Sequence, residues 1–403
     1  MKKVIISTST FKSNENDMTP DFINSMIDSL SHTYNDLNII VFRPMKDRYE
    51  KEYYQNNYKV VPYRYHWSIK KQTLWKYGLK PSYDIDKKNI FKIIFLIISQ
   101  FFALIKLVKK EKPDVIYSQW FLPQAFVTAM VNKLYSFKSC FSTYGADVRI
   151  VRNIPFFGKR IINFVINNTN QYSAISSLNL EIIISTLNKN LKNKKNYKII
   201  PLPIDEIFFK RVIPKKQEIN KLNFLSIGRL TEVKGIDLLI DAFNNIEFRD
   251  KDITLNIVGD GVDKAKLIEM SKKFNLSERI LFHGWKSNDE KMKFYDKANV
   301  VFITSKQDNQ IMEGGPLTLI EAMSQKLVCI CSDSVGYAEH IVDGYNGLIF
   351  KSGSSKSLVN AIERYLDLSE DDVELITNNA LKTSKKFKRD KITSEIYDYF
   401  FNI

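Results

Sequence analysis

The chain has 403 residues, 44% of them hydrophobic and 26% charged, which is enough apolar material for two or three packed cores and excludes an intrinsically disordered protein. Its three cysteines, Cys140, Cys329 and Cys331, lack metal-ligand spacing, which excludes a disulfide framework or zinc module and fits a reducing cytoplasm. The net charge of +15 lies wholly in the first half: residues 1–210 hold 32 Lys and Arg against 16 Asp and Glu, whereas residues 211–403 hold 28 against 29. A basic half calls for an anionic partner: nucleic acid, anionic lipid or a phosphorylated substrate. No nucleic-acid partner is expected, because neither an aromatic-basic RNA motif nor a zinc finger accompanies the charge.

Met1-Lys2-Lys3 precedes only three apolar residues, too few for a secretory h-region of about 7–15, and reads as the entry to a buried strand. Apolar runs at Lys3–Ser7, Asn38–Phe42, Asp114–Tyr117, Ser139–Thr143 and Gln171–Ile175 predict strands. Helical patterns fall at 20–33, 89–111, 123–135, 158–168 and 177–190. A second alternation follows, with strands at 222–228, 253–258, 279–283, 299–304, 327–331 and 347–350. Its helices fall at 234–245, 262–275, 288–297, 316–325, 354–367 and 372–387, before a final aromatic helix. The expected fold is therefore α/β, with two Rossmann-like, doubly wound parallel-sheet domains whose strand ends face a central cleft. The prolines of Tyr197–Ile204 and the polar stretch Lys210–Lys221 place the junction, giving domains 1–204 and 205–387.

Within the first half, Ile93–Val108 contains one charged residue, Lys106, and is flanked by Lys92, Lys109, Lys110 and Lys112. A run of 16 residues is shorter than the roughly 20 that span a bilayer. Two readings stay open: a helix buried on the first sheet, or one lying in a membrane interface.

The chemistry-bearing motifs lie mostly in the second half. Leu225-Ser-Ile-Gly228-Arg229-Leu-Thr-Glu-Val-Lys234-Gly235 follows a predicted strand and opens a helix. Gly228 is expected to turn the chain sharply, and Arg229 and Lys234 then stand at a positive helix end, a place for a diphosphate. Gly259-Asp260-Gly261 sits at the next strand end, where a ligand or a neighbouring loop can come close. Glu313-Gly314-Gly315-Pro316-Leu317-Thr318-Leu-Ile-Glu321 places two carboxylates around a glycine loop whose amides can face phosphate oxygens. Pro316 fits the first turn of the following helix, and Glu321 lies on a face that can point back to a ligand. The carboxylates suit a ribose and a sugar ring. Paired acid–base hydrolysis is the other use of such a pair, and the phosphate cradle between them argues against it.

These residues resemble the retaining glycosyltransferase family 4 with the GT-B fold, over nearly the whole chain. The family's Gly-Arg-x4-Lys-Gly element matches Gly228, Arg229, Lys234 and Gly235, and its Glu-x7-Glu element matches Glu313 and Glu321. Gly336-Tyr-Ala-Glu339 and Asp343-Gly344-Tyr-Asn-Gly347 are similar to its later motifs. Asp308-Asn-Gln-Ile-Met-Glu-Gly314 resembles the branch that builds bacterial exopolysaccharide, capsule and O-antigen chains. In the first half, Pro113-Asp114-Val-Ile-Tyr117-Ser-Gln119-Trp120 and Thr143-Tyr144-Gly145-Ala146-Asp147 are similar to family strand ends, with Tyr117, Gln119 and Tyr144 where histidines usually stand. Ser324–Val328 departs from the family's small-residue turn.

The resemblance implies a metal-independent, cofactor-free hexosyltransferase that uses a UDP- or GDP-sugar and retains configuration by a front-face route. Arg229 and Lys234 would stabilise the leaving diphosphate, Glu313 would hold sugar hydroxyls, and Glu321 the ribose. Gly228, Gly259, Asp260, Gly261 and the Gly314–Thr318 segment would complete the donor site, while Gln119, Tyr144 and Asp147 are acceptor-side candidates. The acceptor is expected to be a saccharide on a polyprenyl diphosphate, the enzyme cytoplasmic and peripheral to the inner membrane face, and helix 388–403 packed back on the first domain. A sugar-nucleotide epimerase or phosphorylase of the same fold, and a non-catalytic sugar-nucleotide or membrane module, are the rival readings.

Overall fold

The computed structural model describes residues 1–12, 22–47, 49–66, 68, 72–74, 86–194, 196–210, 221–245, 252–307 and 313–402. The chain forms two compact units, Met1–Ile200 with Ile392–Ile403, and Pro201–Lys391.

The first unit is built on eight strands: β1 Lys2–Ser7, β2 Leu37–Pro44, β3 Tyr53–Gln55, β4 Tyr58–Tyr63, β5 Val115–Gln119, β6 Lys138–Thr143, β7 Gln171–Ala174 and β8 Tyr197–Ile199. They form one sheet in the order β3-β4-β2-β1-β5-β6-β7-β8, parallel throughout except where β3 meets β4. Both faces are covered, so strands such as Val4-Ile5-Ile6 are apolar without alternation. Val4 and Ile6 pack with the helix Phe22–Thr33 and with Ile392, Ile396, Phe400 and Phe401 from the chain's end. Ile5 and Ile116 pack on the opposite face with the helices Asn89–Glu111 and Phe126–Asn132. The direction of winding reverses between β1 and β5, which opens a crevice at their carboxyl ends.

The strands β3, β4 and β8 escape the sequence reading. In β4 the obstacle is Pro62, which a central strand does not accept. Here it lies past the end of β3, whose pairing stops at Val60, so one edge is open for the residue without an N–H. The helix expected at 123–135 is a π-turn, Phe121–Ala125, followed by Phe126–Asn132. A short helix, Ala146–Arg152, also follows Gly145, whose φ is 99°.

The apolar helix Asn89–Glu111 is buried along one stripe only, formed by Leu96, Gln100, Leu104, Leu107 and Val108. Its other side exposes Ile90, Phe91, Ile94, Phe95, Ile98 and Phe102, each between 40% and 64% accessible. By length and composition the helix could cross a membrane, but its buried stripe belongs to the core of the unit.

The second unit has six strands: β9 Lys221–Ile227, β10 Asp252–Val258, β11 Ile280–Phe282, β12 Val300–Ile303, β13 Val328–Ser332 and β14 Leu348–Phe350. Their order is β11-β10-β9-β12-β13-β14, all parallel. Phe224, Leu255, Val300 and Phe302 form its core with the helices Ile236–Asn245 and Ser355–Leu366. The reversal of winding falls between β9 and β12 and sets the ligand crevice at their carboxyl ends. All three cysteines are buried in strands, with thiols that burial holds well above the ordinary range.

Candidate active site

The loops after β9 and β10 interlock through their backbones. Gly228 N donates to Val258 O at 3.0 Å, Leu230 N to Asp260 O at 2.9 Å, and Asp263 N to Leu230 O at 3.0 Å. This approach needs bare backbone: a Cβ at Gly259 would stand 1.8 Å from Gly228 O, and one at Gly261 2.2 Å from Leu230 O. Gly259 also has φ 147°. The chain bends at Gly228, as expected, without a left-handed backbone. The Lys234 stem runs alongside it, with Cε 3.5 Å from where a Cβ would stand, an ordinary contact. Asp260 points outward, bonded to Lys264 Nζ and Gly261 N at 2.9 Å, and the Lys264 bond holds its carboxyl below the usual range. Gly259, Asp260 and Gly261 thus buttress the loop after β9. Gly259→Ala is expected to cost about 2–4 kcal/mol and to weaken nucleotide binding, read by thermal melting and nucleotide titration. Wild-type behaviour in both would refute this packing.

Lys234 does not begin the helix, as the sequence suggested. It ends a 3-10 turn, Glu232–Lys234, and the α-helix starts at Ile236. Gly235 separates the two because its φ of 62° and its contact with Thr304 O, 2.1 Å from a built Cβ, admit no side chain. Thr304 Oγ1 donates to Lys234 O at 2.8 Å, tying the turn to the end of β12. The Lys234 ammonium pairs with Glu313 Oε2 at 2.5 Å, with both side chains largely buried. Glu313 is fixed from the other side, where its carbonyl accepts from Gly336 N at 2.9 Å. Arg229 is exposed, and its guanidinium has no hydrogen-bond or ion-pair partner among the described residues.

Beside Lys234 lies a small open recess lined by Ser226, Gly228, Lys234, Thr304, Ser305 and Thr318. It sits at the carboxyl ends of β9 and β12, where the sheet topology puts a ligand. Gly314 and Gly315 are half-buried ahead of the helix Leu317–Ser324. Pro316 stands at the cap of that helix rather than in its first turn. The first-turn amides, Leu317 and Thr318 included, have no acceptor within the helix, so this end can hold an anion. Asp308–Met312 lies outside the described residues.

Glu321 is buried, and its carboxylate takes Lys291 Nζ at 3.1 and 2.9 Å and the Tyr295 hydroxyl at 2.8 Å, partners that the sequence did not show. Burial and the neighbouring Glu321 push the Tyr295 hydroxyl well above its ordinary pKa. Lys291 and Tyr295 stand one turn apart on the helix Asn288–Lys297, whose start is locked by a Ser287–Glu290 capping box. Sequence reasoning missed both. The capping box is a legible signal for the helix, but nothing local says which carboxylate its inner face meets.

In the first unit, Gln119 is fully buried at the end of β5 and accepts a hydrogen bond from the Tyr144 hydroxyl. Tyr144 packs against Trp120 with ring centroids 4.6 Å apart, and Trp120 Nε1 donates to Thr10 Oγ1 at 2.9 Å. Tyr117 is turned into the sheet, with its hydroxyl 2.5 Å from Ser142 Oγ. Asp147 is also buried and takes Phe121 N at 2.5 Å and Thr143 Oγ1 at 2.6 Å. Burial raises its pKa despite these donors. Gln119 and Tyr144 therefore form one bonded edge, while Asp147 clamps the Trp120–Phe121 turn behind it.

Residues 204–382 match the family described as glycosyl transferases group 1. An uncharacterized glycosyltransferase of Methanocaldococcus jannaschii is 27% identical over 285 residues, spanning 71% of this chain and 74% of that protein. The N-acetylgalactosamine-N,N'-diacetylbacillosaminyl-diphospho-undecaprenol 4-alpha-N-acetylgalactosaminyltransferase of Campylobacter jejuni is 29% identical over 177 residues, spanning 43% of this chain and 45% of that one. Among solved structures, Anabaena HepE in complex with UDP has a TM-score of 0.69 at 15% identity over 100% of both chains, a likeness of fold.

Proposed function

We propose that this chain is a retaining nucleotide-sugar glycosyltransferase of group 1, family 4, with the GT-B fold, and that it moves a hexosyl unit from a UDP- or GDP-sugar to a saccharide on a polyprenyl diphosphate, in the assembly of a cell-surface polysaccharide. UDP is favoured by the UDP bound to the Anabaena protein of like fold. The lipid diphosphate is favoured by the diphospho-undecaprenol acceptor in the name of the Campylobacter relative. The observation that carries the donor reading is the Lys234–Glu313 pair laid over Gly228 at the reversal of the second sheet.

On this reading the donor diphosphate takes the place of Glu313 beside Lys234, and the released carboxylate accepts hydroxyls of the donor sugar. Arg229 and the first-turn amides of Leu317 and Thr318 complete the anion cradle. As the bond from the anomeric carbon to the diphosphate oxygen breaks, charge builds on that oxygen and these fixed donors stabilise it. The acceptor hydroxyl bonds to the anomeric carbon on the same face and passes its proton to the departing phosphate oxygen. The ribose rests against the Lys291–Glu321 pair, and Gln119 and Tyr144 belong to the acceptor side. The protein's place is the cytoplasmic face of the membrane.

A thermal-shift series with UDP, GDP and ADP tests the donor site. One nucleotide is expected to raise the melting temperature without added divalent metal, by about 2.7 kcal/mol of stabilisation at a hundredfold excess over its Kd, and Lys234→Ala is expected to abolish most of the shift. An equal shift in the variant would remove Lys234 from the site.

A further inference from the structure

We infer that the first unit carries a two-part surface for docking on an anionic lipid bilayer: the exposed stripe of the helix Asn89–Glu111 and an aromatic tip at Ile154–Phe157. The inference deepens the proposed function and rests on its reading that the acceptor is lipid-linked.

The tip joins the helices Ala146–Arg152 and Gly158–Asn167. All four of its residues, Ile154-Pro155-Phe156-Phe157, are exposed, Phe156 to 89% and Phe157 to 60%. Phe156 holds φ 60°, a left-handed backbone that a bulky aromatic rarely takes. Two backbone bonds close the turn: Phe157 N donates to Pro155 O at 2.7 Å and Gly158 N to Ile154 O at 3.0 Å. At Gly158 a Cβ would stand 2.2 Å from Val151 O, so the two helices meet at bare backbone. The fold spends a strained residue and a close glycine contact on presenting two phenyl rings to solvent.

The helix stripe and the tip share a face and an edge. Helix Asn89–Glu111 packs with Phe126–Asn132 on the Ile5 side of the sheet, and Phe126 meets Phe164 of the helix that follows the tip at 6.0 Å. The stripe's Phe91, Ile94 and Phe95 lie at the carboxyl end of the strands, because the helix runs from β4 back to the start of β5. The tip lies at the same end, since the helix after it runs back to the start of β7. Gln119, Trp120 and Tyr144 occupy that edge too. Docking by this face would hold the acceptor side at headgroup level, where the diphosphate of a lipid-linked saccharide lies.

Charge selects a bilayer over another apolar partner. Residues 87–180 hold 13 Lys and Arg against three acids, Glu111, Asp114 and the buried Asp147. Lys87 and Lys88 precede the stripe, Lys106 and Lys109 follow it, and Arg152, Lys159 and Arg160 flank the tip, all exposed. Apolar groups ringed by cations match the boundary between acyl chains and anionic headgroups.

The test is flotation of the full chain with phosphatidylcholine vesicles and with vesicles in which phosphatidylglycerol replaces part of the phosphatidylcholine. The wild type is expected to float with the anionic vesicles and at least about tenfold less with the neutral ones. Phe156→Asp/Phe157→Asp and Ile94→Asp/Ile98→Asp are each expected to lower anionic binding about tenfold or more, with the nucleotide-induced melting shift intact. Wild-type binding with unaffected variants would overturn the surface assignment alone. No vesicle binding by the wild type would overturn the membrane reading as well, as would a dimer in sedimentation velocity that Phe156→Asp/Phe157→Asp disperses in its place.

Discussion

Lys234→Ala is expected to lower turnover about 100-fold or more at saturating donor, while the melting temperature of the unliganded protein moves by only a few degrees. The two halves of this expectation have different physical sources. A hundredfold loss corresponds to about 2.7 kcal/mol of transition-state stabilisation, which a fixed cation at the leaving diphosphate can supply. The unliganded protein loses only the Lys234–Glu313 pair, whose side chains remain 17% and 18% exposed, so water can solvate the carboxylate left behind. Lys234→Arg sharpens the test: it keeps the charge but replaces a compact ammonium with a planar fork, and turnover is expected to stay well below that of the wild type. Near-normal turnover in the alanine variant would refute the role assigned to Lys234.

Lys291→Met is expected to do the reverse and unsettle the fold before it touches the chemistry. Lys291 and Glu321 are 13% and 7% exposed, and removing the cation leaves the carboxylate inside with the Tyr295 hydroxyl as its remaining donor. Breaking one side of such a pair costs about 3–5 kcal/mol, a fall of roughly 6–15 °C for a unit of this size. Because the two units can melt separately, the loss is read on the transition that nucleotide shifts. The double variant Lys291→Met/Glu321→Gln is expected to recover part of the loss, since no unpaired charge remains buried. A single variant that melts with the wild type would show that water reaches Glu321. If the melt falls and the recovered double variant still binds nucleotide normally, the pair is structural and the ribose lies elsewhere.

The strands of both sheets that carry sites were legible in the chain, because a buried parallel strand is a local apolar run and each is followed by its own helix. The motif residues were legible for the same reason: Gly228 to Gly235 and Glu313 to Glu321 are contiguous stretches at strand ends. Glycine at 235 and 259 could be read as a backbone requirement, but the atoms that impose it, Thr304 O and Gly228 O, come from other loops. The three missed strands are short or carry a proline, and only their neighbours make them strands.

What the sequence by itself determined is the alternation of elements, the reversal points it implies, and the residue types offered at them. The tertiary structure alone decided which charges meet. The place of Glu321 on its helix is legible in the chain, but that its carboxylate meets Lys291 and Tyr295 follows from the second helix packed there. The apolar helix shows the same limit most plainly. Its sequence is hydrophobic almost all round, so periodicity cannot choose a buried side. The fold buries Gln100, whose amide reaches Ser7 Oγ at 3.2 Å, and leaves Phe91 and Phe102 each 64% exposed. A side chain's burial follows from what stands opposite it, and that is a property of the assembled sheet and helices, not of the segment.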